Sequence, residues 1–260
     1  MQTRPLTRSE AIARAEIIEV ESYAIEIDLR GCDVGRGTFG SQTLVKFSCS
    51  RPGASTFAEF RSNEPAKAEL NGREVAVVDG RIPLDGLQEH NELRVSGQGM
   101  FSTAGEGLHR AVDPADGAVY VYSMCFLHDA SRVFACFDQP DLKATFQLIV
   151  QAPDGWKVVS NSPAVEGTAW RFEATPKLPT YLVALAAGPY ASAHLTWTPP
   201  NGGPEVPLGL YCRKSMEPYL EADDVFATTR AGLQFYTNQF GVAFPFVKYD
   251  QLFAPEFNAG

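Results

Sequence analysis

Residues 19–31, EVESYAIEIDLRG, alternate polar and apolar side chains with a period of two. Tyr23, Ile25, Ile27 and Leu29 fall on one face of a pleated strand, and Ser22, Glu26 and Asp28 on the other. A helix turns 3.6 residues at a time and cannot gather such a pattern onto one side, so this stretch reads as a strand with one buried face. Further strands are expected at 39–50, 56–61, 67–71, 74–78 and 91–98, and then at 118–126, 143–151, 156–160, 168–173 and 181–187. Asn71-Gly72, Asp79-Gly80 and Asp85-Gly86 punctuate them, and both residue types tolerate the positive φ of tight hairpins. Many short strands with regular turns predict a mainly β fold, a large β-sandwich or saddle.

A short helix precedes the strands, with Thr7 and Glu10 at capping-box spacing. The character changes after Gly188-Pro189. Strands at 190–197 and 206–212 bracket the turn PPNGG, and a long helix is expected from Pro218 to Phe240. Proline suits the first helical position, and Gly241 the position just past the end. Ala222, Val225, Phe226, Thr229, Leu233, Tyr236 and Phe240 form its apolar stripe, expected to face a core. A last strand covers 248–253. The 260 residues therefore divide into a β-domain, 1–188, and a short α/β segment with one long helix, 189–260.

With 31 acids against 22 bases and no Lys/Arg run, the chain lacks the basic footprint that nucleic-acid binding requires. The apolar run Tyr181–Ala187 falls far short of the roughly 20 residues that cross a bilayer, so no membrane partner is expected. The opening MQTRPLTRSEAIARAE has no apolar core of signal-peptide kind. Five cysteines, an odd number with no CxxC pair, suit buried thiols in a reducing compartment, hence a cytoplasmic location. The four histidines stand in no HxxxH or HExxH spacing, so no metal ligands are assigned.

Three stretches carry a family resemblance in their order and spacing. They are GEGLHRAVDPADGAVYVYS (105–123), RVFACFDQPDLKATFQLIVQAP (132–153) with WKVVSNSP (156–163), and YDQLFAPEFNAG (249–260). Together they resemble the N-terminal part of the aminopeptidase N family, the gluzincin zinc metallopeptidases, nearest its actinobacterial branch. The resemblance implies a β-saddle domain followed by the start of a thermolysin-like catalytic domain. It also implies that Gly260 is the first residue of the Gly-Ala-Met-Glu-Asn strand, with the zinc-binding residues falling after it. The chain is therefore expected to have no cofactor, zinc entering only if a separate chain supplies the missing half, and to be no peptidase by itself.

The family's Gln-x-Glu positions, which help to hold a substrate's amino terminus, fall at Met124 and Phe126, both apolar. Met124, Cys125, Phe126, Ala259 and Gly260 are accordingly read as lining a vacated cleft that takes a small apolar molecule or a peptide. The catalytic candidates are Glu256, next to the old site edge, and the neighbouring His128 and Asp129. Arg132 and Asp138 are expected to pair and fix their loop. His109 is placed in a Gly-rich loop with no helix start behind it, which argues against a phosphate cradle. Two alternatives to a truncated peptidase homologue stay open. One is a repurposed metal-independent enzyme, for cyclisation or isomerisation of an apolar molecule. The other is a partner module docking through its final strand.

Overall fold

The N-terminal helix, α1 (Arg8–Ala15), starts as its capping residues dictate. The Thr7 hydroxyl accepts the Glu10 N–H and the Glu10 carboxylate accepts the Thr7 N–H. The computed structural model describes residues 4–165, 169–199 and 202–257.

Beyond α1 come β1 (Ile18–Asp28), β2 (Thr38–Cys49), β3 (Thr56–Glu59), β4 (Lys67–Leu70) and β5 (Arg73–Val75). They are followed by β6 (Arg81–Leu84), β7 (His90–Met100), β8 (Gly107–Val112), β9 (Val119–Met124) and β10 (Thr145–Gln151). Then come β11 (Lys157–Ser160), β12 (Ala164–Val165), β13 (Trp170–Phe172) and β14 (Leu185–Gly188). The C-terminal part adds β15 (Ala191–Trp197), β16 (Val206–Cys212), α2 (Ala222–Phe240) and β17 (Tyr249–Leu252).

The eight-stranded sheet runs β12-β13-β10-β1-β2-β7-β4-β5, and β3 pairs with β6 in a separate ribbon. A four-stranded sheet, β11-β14-β9-β8, and a three-stranded one, β15-β16-β17, complete the fold. The chain is mainly β, as its alternation predicts. Tyr23, Ile25, Ile27 and Leu29 all point into the core, where Tyr23 stacks on Phe146 at 4.7 Å between ring centroids. Asn71 and Gly72 both take positive φ and turn β4 into β5. At Asp85-Gly86 only the glycine does so.

One core cluster extends from Ile17 to Ala187; a second, smaller one links Trp197, Val206, Leu208, Leu210 and Phe226. Between them the β8–β9 turn meets the short 3-10 helix at Lys214–Tyr219. Asp113 accepts from the Ser215 hydroxyl at 2.5 Å and pairs with Arg213, while the Tyr120 hydroxyl accepts the Lys214 N–H. The Ser215 bond, ahead of Arg213, holds the Asp113 carboxyl below the usual range.

The structure departs from the sequence reading in four places. The long helix begins at Ala222, not Pro218, which lies inside the 3-10 turn; Leu220 is extended and separates the two helices. Gly241 does end the helix, at φ +66°. The helix stripe is only half covered: Phe226 is buried, whereas Tyr236 and Phe240 are exposed. Residues 180–182 form a 3-10 turn, leaving β14 for 185–188. The final strand is paired on one side, lying parallel to β16. There Gly209 leaves room for the Asp250 carboxylate, which a Cβ would approach to 2.2 Å and force to shift.

Among the described residues, no helix is long and apolar enough to cross a membrane. All five cysteines are buried and free.

Arg81 clamps α1 onto β6 through the Glu10 carboxylate at 2.8 Å, and this bond above all lowers the Glu10 pKa to about 2. A carboxyl with a depressed folded-state pKa stabilises the fold above its unfolded pKa, and that contribution is lost as pH falls through about 2. Glu10→Gln should therefore cost about 0.5–1.5 kcal/mol at neutral pH. In urea titrations the gap between variant and parent should close near pH 2.

Candidate functional site

The residues singled out around Met124 do not converge. Met124 ends β9, opposite Gly107 of β8. Cys125 is buried, and burial pushes its thiol pKa well up, which leaves it protonated. Phe126 and Leu127 are exposed, with Phe126 edge-on to Tyr181 at 5.5 Å. His128 projects into solvent, and its carbonyl accepts from Arg61.

Asp129 has a structural task. Its carboxylate takes Arg61, which is mostly enclosed, at 3.1 Å and the more exposed Arg132 at 2.7 Å. The expected Arg132–Asp138 pair is not formed: Arg132 binds Asp129 and Glu106. Asp138 instead turns inward to the Thr180 hydroxyl and the Ser131 N–H. Short sequence separation favours the Asp129–Arg132 contact, across a single 3-10 turn.

Glu256 does gain a partner, and it is His109. The latter lies on strand β8 rather than in a Gly-rich loop, and is 1% exposed. Its Nδ1 accepts the Gly105 N–H at 3.0 Å, so Nε2 carries the proton and donates to the Glu256 carboxylate at 3.1 Å. Tyr122 of β9 donates its hydroxyl to the Glu256 carbonyl at 3.1 Å and packs its ring on His109 and Phe257. Glu256 itself has φ +55°, which two hydrogen bonds from β8 and β9 stabilise. His109 and Tyr122 lie directly opposite each other in the β8–β9 ladder, a register that no local sequence signal announces. Their partner lies 147 residues from His109. Ala259 and Gly260 lie outside the described residues.

Two concave regions flank the C-terminal segment. A cavity of about 560 Å³ lies between the four-stranded sheet and residues 244–257, bounded by Tyr122, Leu178, Leu185, Phe246 and Phe257. Met124, Cys125 and Phe126 do not line it. A second, of about 530 Å³, opens along α2 at Leu233, Tyr236, Phe240 and Tyr249. Among the described residues no three His, Cys, Asp or Glu side chains come together to hold a metal ion. His109 and Glu256 supply two such groups, and they are bonded to each other. The described residues thus do not fit a zinc ion.

Asp129→Ala should cost about 1–3 kcal/mol in urea unfolding, because it takes the carboxylate away from the mostly enclosed Arg61, while Arg132, which is more exposed, keeps Glu106. Glu256→Ala should cost less than about 1 kcal/mol globally. It should nonetheless speed amide exchange across residues 253–257, read by hydrogen-exchange mass spectrometry.

Comparison with known proteins agrees with the arrangement. The Peptidase M1 N-terminal domain matches residues 59–182. Aminopeptidase N of Streptomyces lividans is 46% identical over 262 aligned residues, covering 98% of this chain and 30% of that protein. Aminopeptidase N of Mus musculus is 30% identical over 141 residues, covering 51% of this chain and 14% of that protein. Probable aminopeptidase 1 of Sulfurisphaera tokodaii is 24% identical over 255 residues, covering 94% of this chain and 30% of that protein. The chain spans less than a third of the length of each of these relatives. On the strength of the domain match and of identity along nearly its whole length, the chain belongs to the aminopeptidase N family and corresponds to its N-terminal part.

Proposed function

We propose that these residues serve as the non-catalytic N-terminal part of an aminopeptidase, supplying one wall of a peptide cleft and no hydrolysis of their own. One observation carries this reading. Large apolar side chains stay exposed at Phe235, Tyr236, Phe240, Val242 and Val247, all near the C-terminal end of the described residues. A face of this kind marks a contact surface. Its occupant, on this reading, is the portion of the aminopeptidase N length that the chain does not match, in the same polypeptide or another. Zinc and the groups that act with it would enter there. Among the described strands β17 has one edge unpaired, which offers a ladder for the same partner. The five buried free thiols support a cytoplasmic setting.

Met124 and Phe126 favour a second reading beside it. Phe126 presents a ring where the family pattern has a carboxylate. Its cation–π attraction for an ammonium, about 0.5–2 kcal/mol, does not replace a charge-assisted hydrogen bond. In that reading the site has left amino-terminal substrates for an apolar small molecule, handled without metal, as in a cyclisation or isomerisation.

The two readings separate in one experiment. The chain alone should release no nitroaniline from alanyl-nitroanilide and hold no stoichiometric zinc. Mixed with the complementary length of the Streptomyces lividans relative, it should gain both, and Tyr236→Ser with Phe240→Ser should abolish the gain. Phe126→Glu should then raise kcat/KM by about tenfold, the worth of one restored charge-assisted bond. Zinc-dependent turnover by the chain alone would overturn the first reading. No turnover from the mixture, with or without Phe126→Glu, would favour the second.

A further inference from the structure

We propose that the cavity between the four-stranded sheet and residues 244–257 is a binding site for a neutral aromatic or alkyl molecule, independent of either reading of the peptidase cleft. Its volume of about 560 Å³ falls within the range of about 300–1,000 Å³ typical of small-molecule sites. The chain itself supplies two facing walls. Val159, Leu178 and Leu185 come from the β-domain, and Phe244, Phe246 and Phe257 from the C-terminal segment. The cavity shares Phe244 and Tyr249 with the groove along α2, but the β-domain bounds its other side, whereas that groove is lined by the C-terminal segment alone.

The chemistry of the walls selects the ligand. Their serine, threonine, asparagine and charged side chains are already bonded. Ser123 accepts the Leu185 N–H and donates to the Val183 carbonyl. Ser160 donates to the Ala184 carbonyl, and Asn161 bonds both the Leu182 carbonyl and the Ala184 N–H. The Thr175 hydroxyl accepts the Phe146 N–H. Lys248 and Asp250, both on the wall, neutralise each other at 2.5 Å. A charged ligand would lose its water and meet no unpaired counter-charge, a cost that a neutral one avoids. Rings stacking offset or edge-on against Phe246 and Phe257 would gain attraction beyond area burial. The His109–Glu256 bond and the Tyr122 hydroxyl set the place of Phe257, so this clasp fixes one wall of the site.

The test is a fluorescence titration of the chain with N-phenylnaphthylamine, a neutral aromatic probe, against anilinonaphthalene sulfonate, its anionic counterpart. One saturable site for the neutral probe is expected, with the anion at least about tenfold weaker. Ala184→Trp, at an exposed lining position, should weaken the neutral probe by at least about tenfold. Val159→Trp, from the half-buried outer side of β11, should do the same, with circular dichroism confirming the fold of each. Glu256→Ala should weaken it severalfold, and Phe126→Glu and Tyr236→Ser should leave it unchanged. Equal affinity for both probes, undiminished binding in the two folded tryptophan variants, or loss of binding in Tyr236→Ser would overturn the assignment.

Discussion

A loop can cross the inside of a protein only if each of its peptide groups finds a partner. Residues 131–139 do cross it, and each of their amides is paired. Arg132, Val133, Phe134 and Gln139 bond within the loop and its 3-10 turn, and Ser131 bonds the Asp138 carboxylate. The rest depend on the sheets. Ala135 reaches the Thr43 hydroxyl, Phe137 the Tyr23 hydroxyl, Cys136 the Glu59 carbonyl and Asp138 the Glu59 carboxylate. Polar atoms thus stand at inward positions of β1, β2 and β3. Glu59 in turn needs a cation, and Arg14 of α1 provides it at 2.9 Å while lying over Phe57 and Phe137. Burial raises the Glu59 pKa and Arg14 opposes the rise. Helix, ribbon, sheet and loop are in this way a single solution to one desolvation problem.

How much of this is legible in the sequence follows from the range of each signal. The alternation of β1, the Asn71-Gly72 turn, the Thr7–Glu10 cap and the Gly241 stop are encoded within a few residues, and each appears where the sequence places it. The start of α2 is misread because Pro218, a residue that suits a helix's first turn, lies instead near the end of a 3-10 helix that stops two residues short of α2. Strand β8 is hidden by the glycines at 105 and 107, which mimic a loop. The helix stripe of α2 reads correctly as apolar, but periodicity states only that a face wants cover, not what covers it. The Glu256–His109 bond has no local signature at all. Met124 and Phe126 stand out in sequence by their departure from a family pattern, yet the cavity is lined by the residues just before them, Tyr122 and Ser123.

The two halves of the molecule differ in how fully they satisfy themselves. The large sheet and the four-stranded sheet enclose one continuous core, with most polar groups matched inside it. The C-terminal part has a small core of five buried residues and a broad aromatic exterior. Its attachment is polar: Asp113 to Ser215 and Arg213, Tyr120 to Lys214, and His109 and Tyr122 to Glu256. A polar attachment fixes orientation at little cost in hydrophobic area. It suits a segment that has to present its apolar face elsewhere.

The parallel pairing of β1 with β10 bears on how the chain is made. Residues 22–28 join residues 145–151 side by side, while the opposite edge of β1 closes on β2 within the first fifty residues. During synthesis the strand therefore waits, half paired and with Tyr23, Ile25 and Ile27 in need of cover, until about a hundred more residues have left the ribosome. Long-range parallel closure is slow because the loop entropy falls due before its contacts form. The strand that organises the finished domain is thus its most exposed surface at birth, and the polar Ser22, Glu26 and Asp28 on its other face are what keep nascent chains from pairing with one another there.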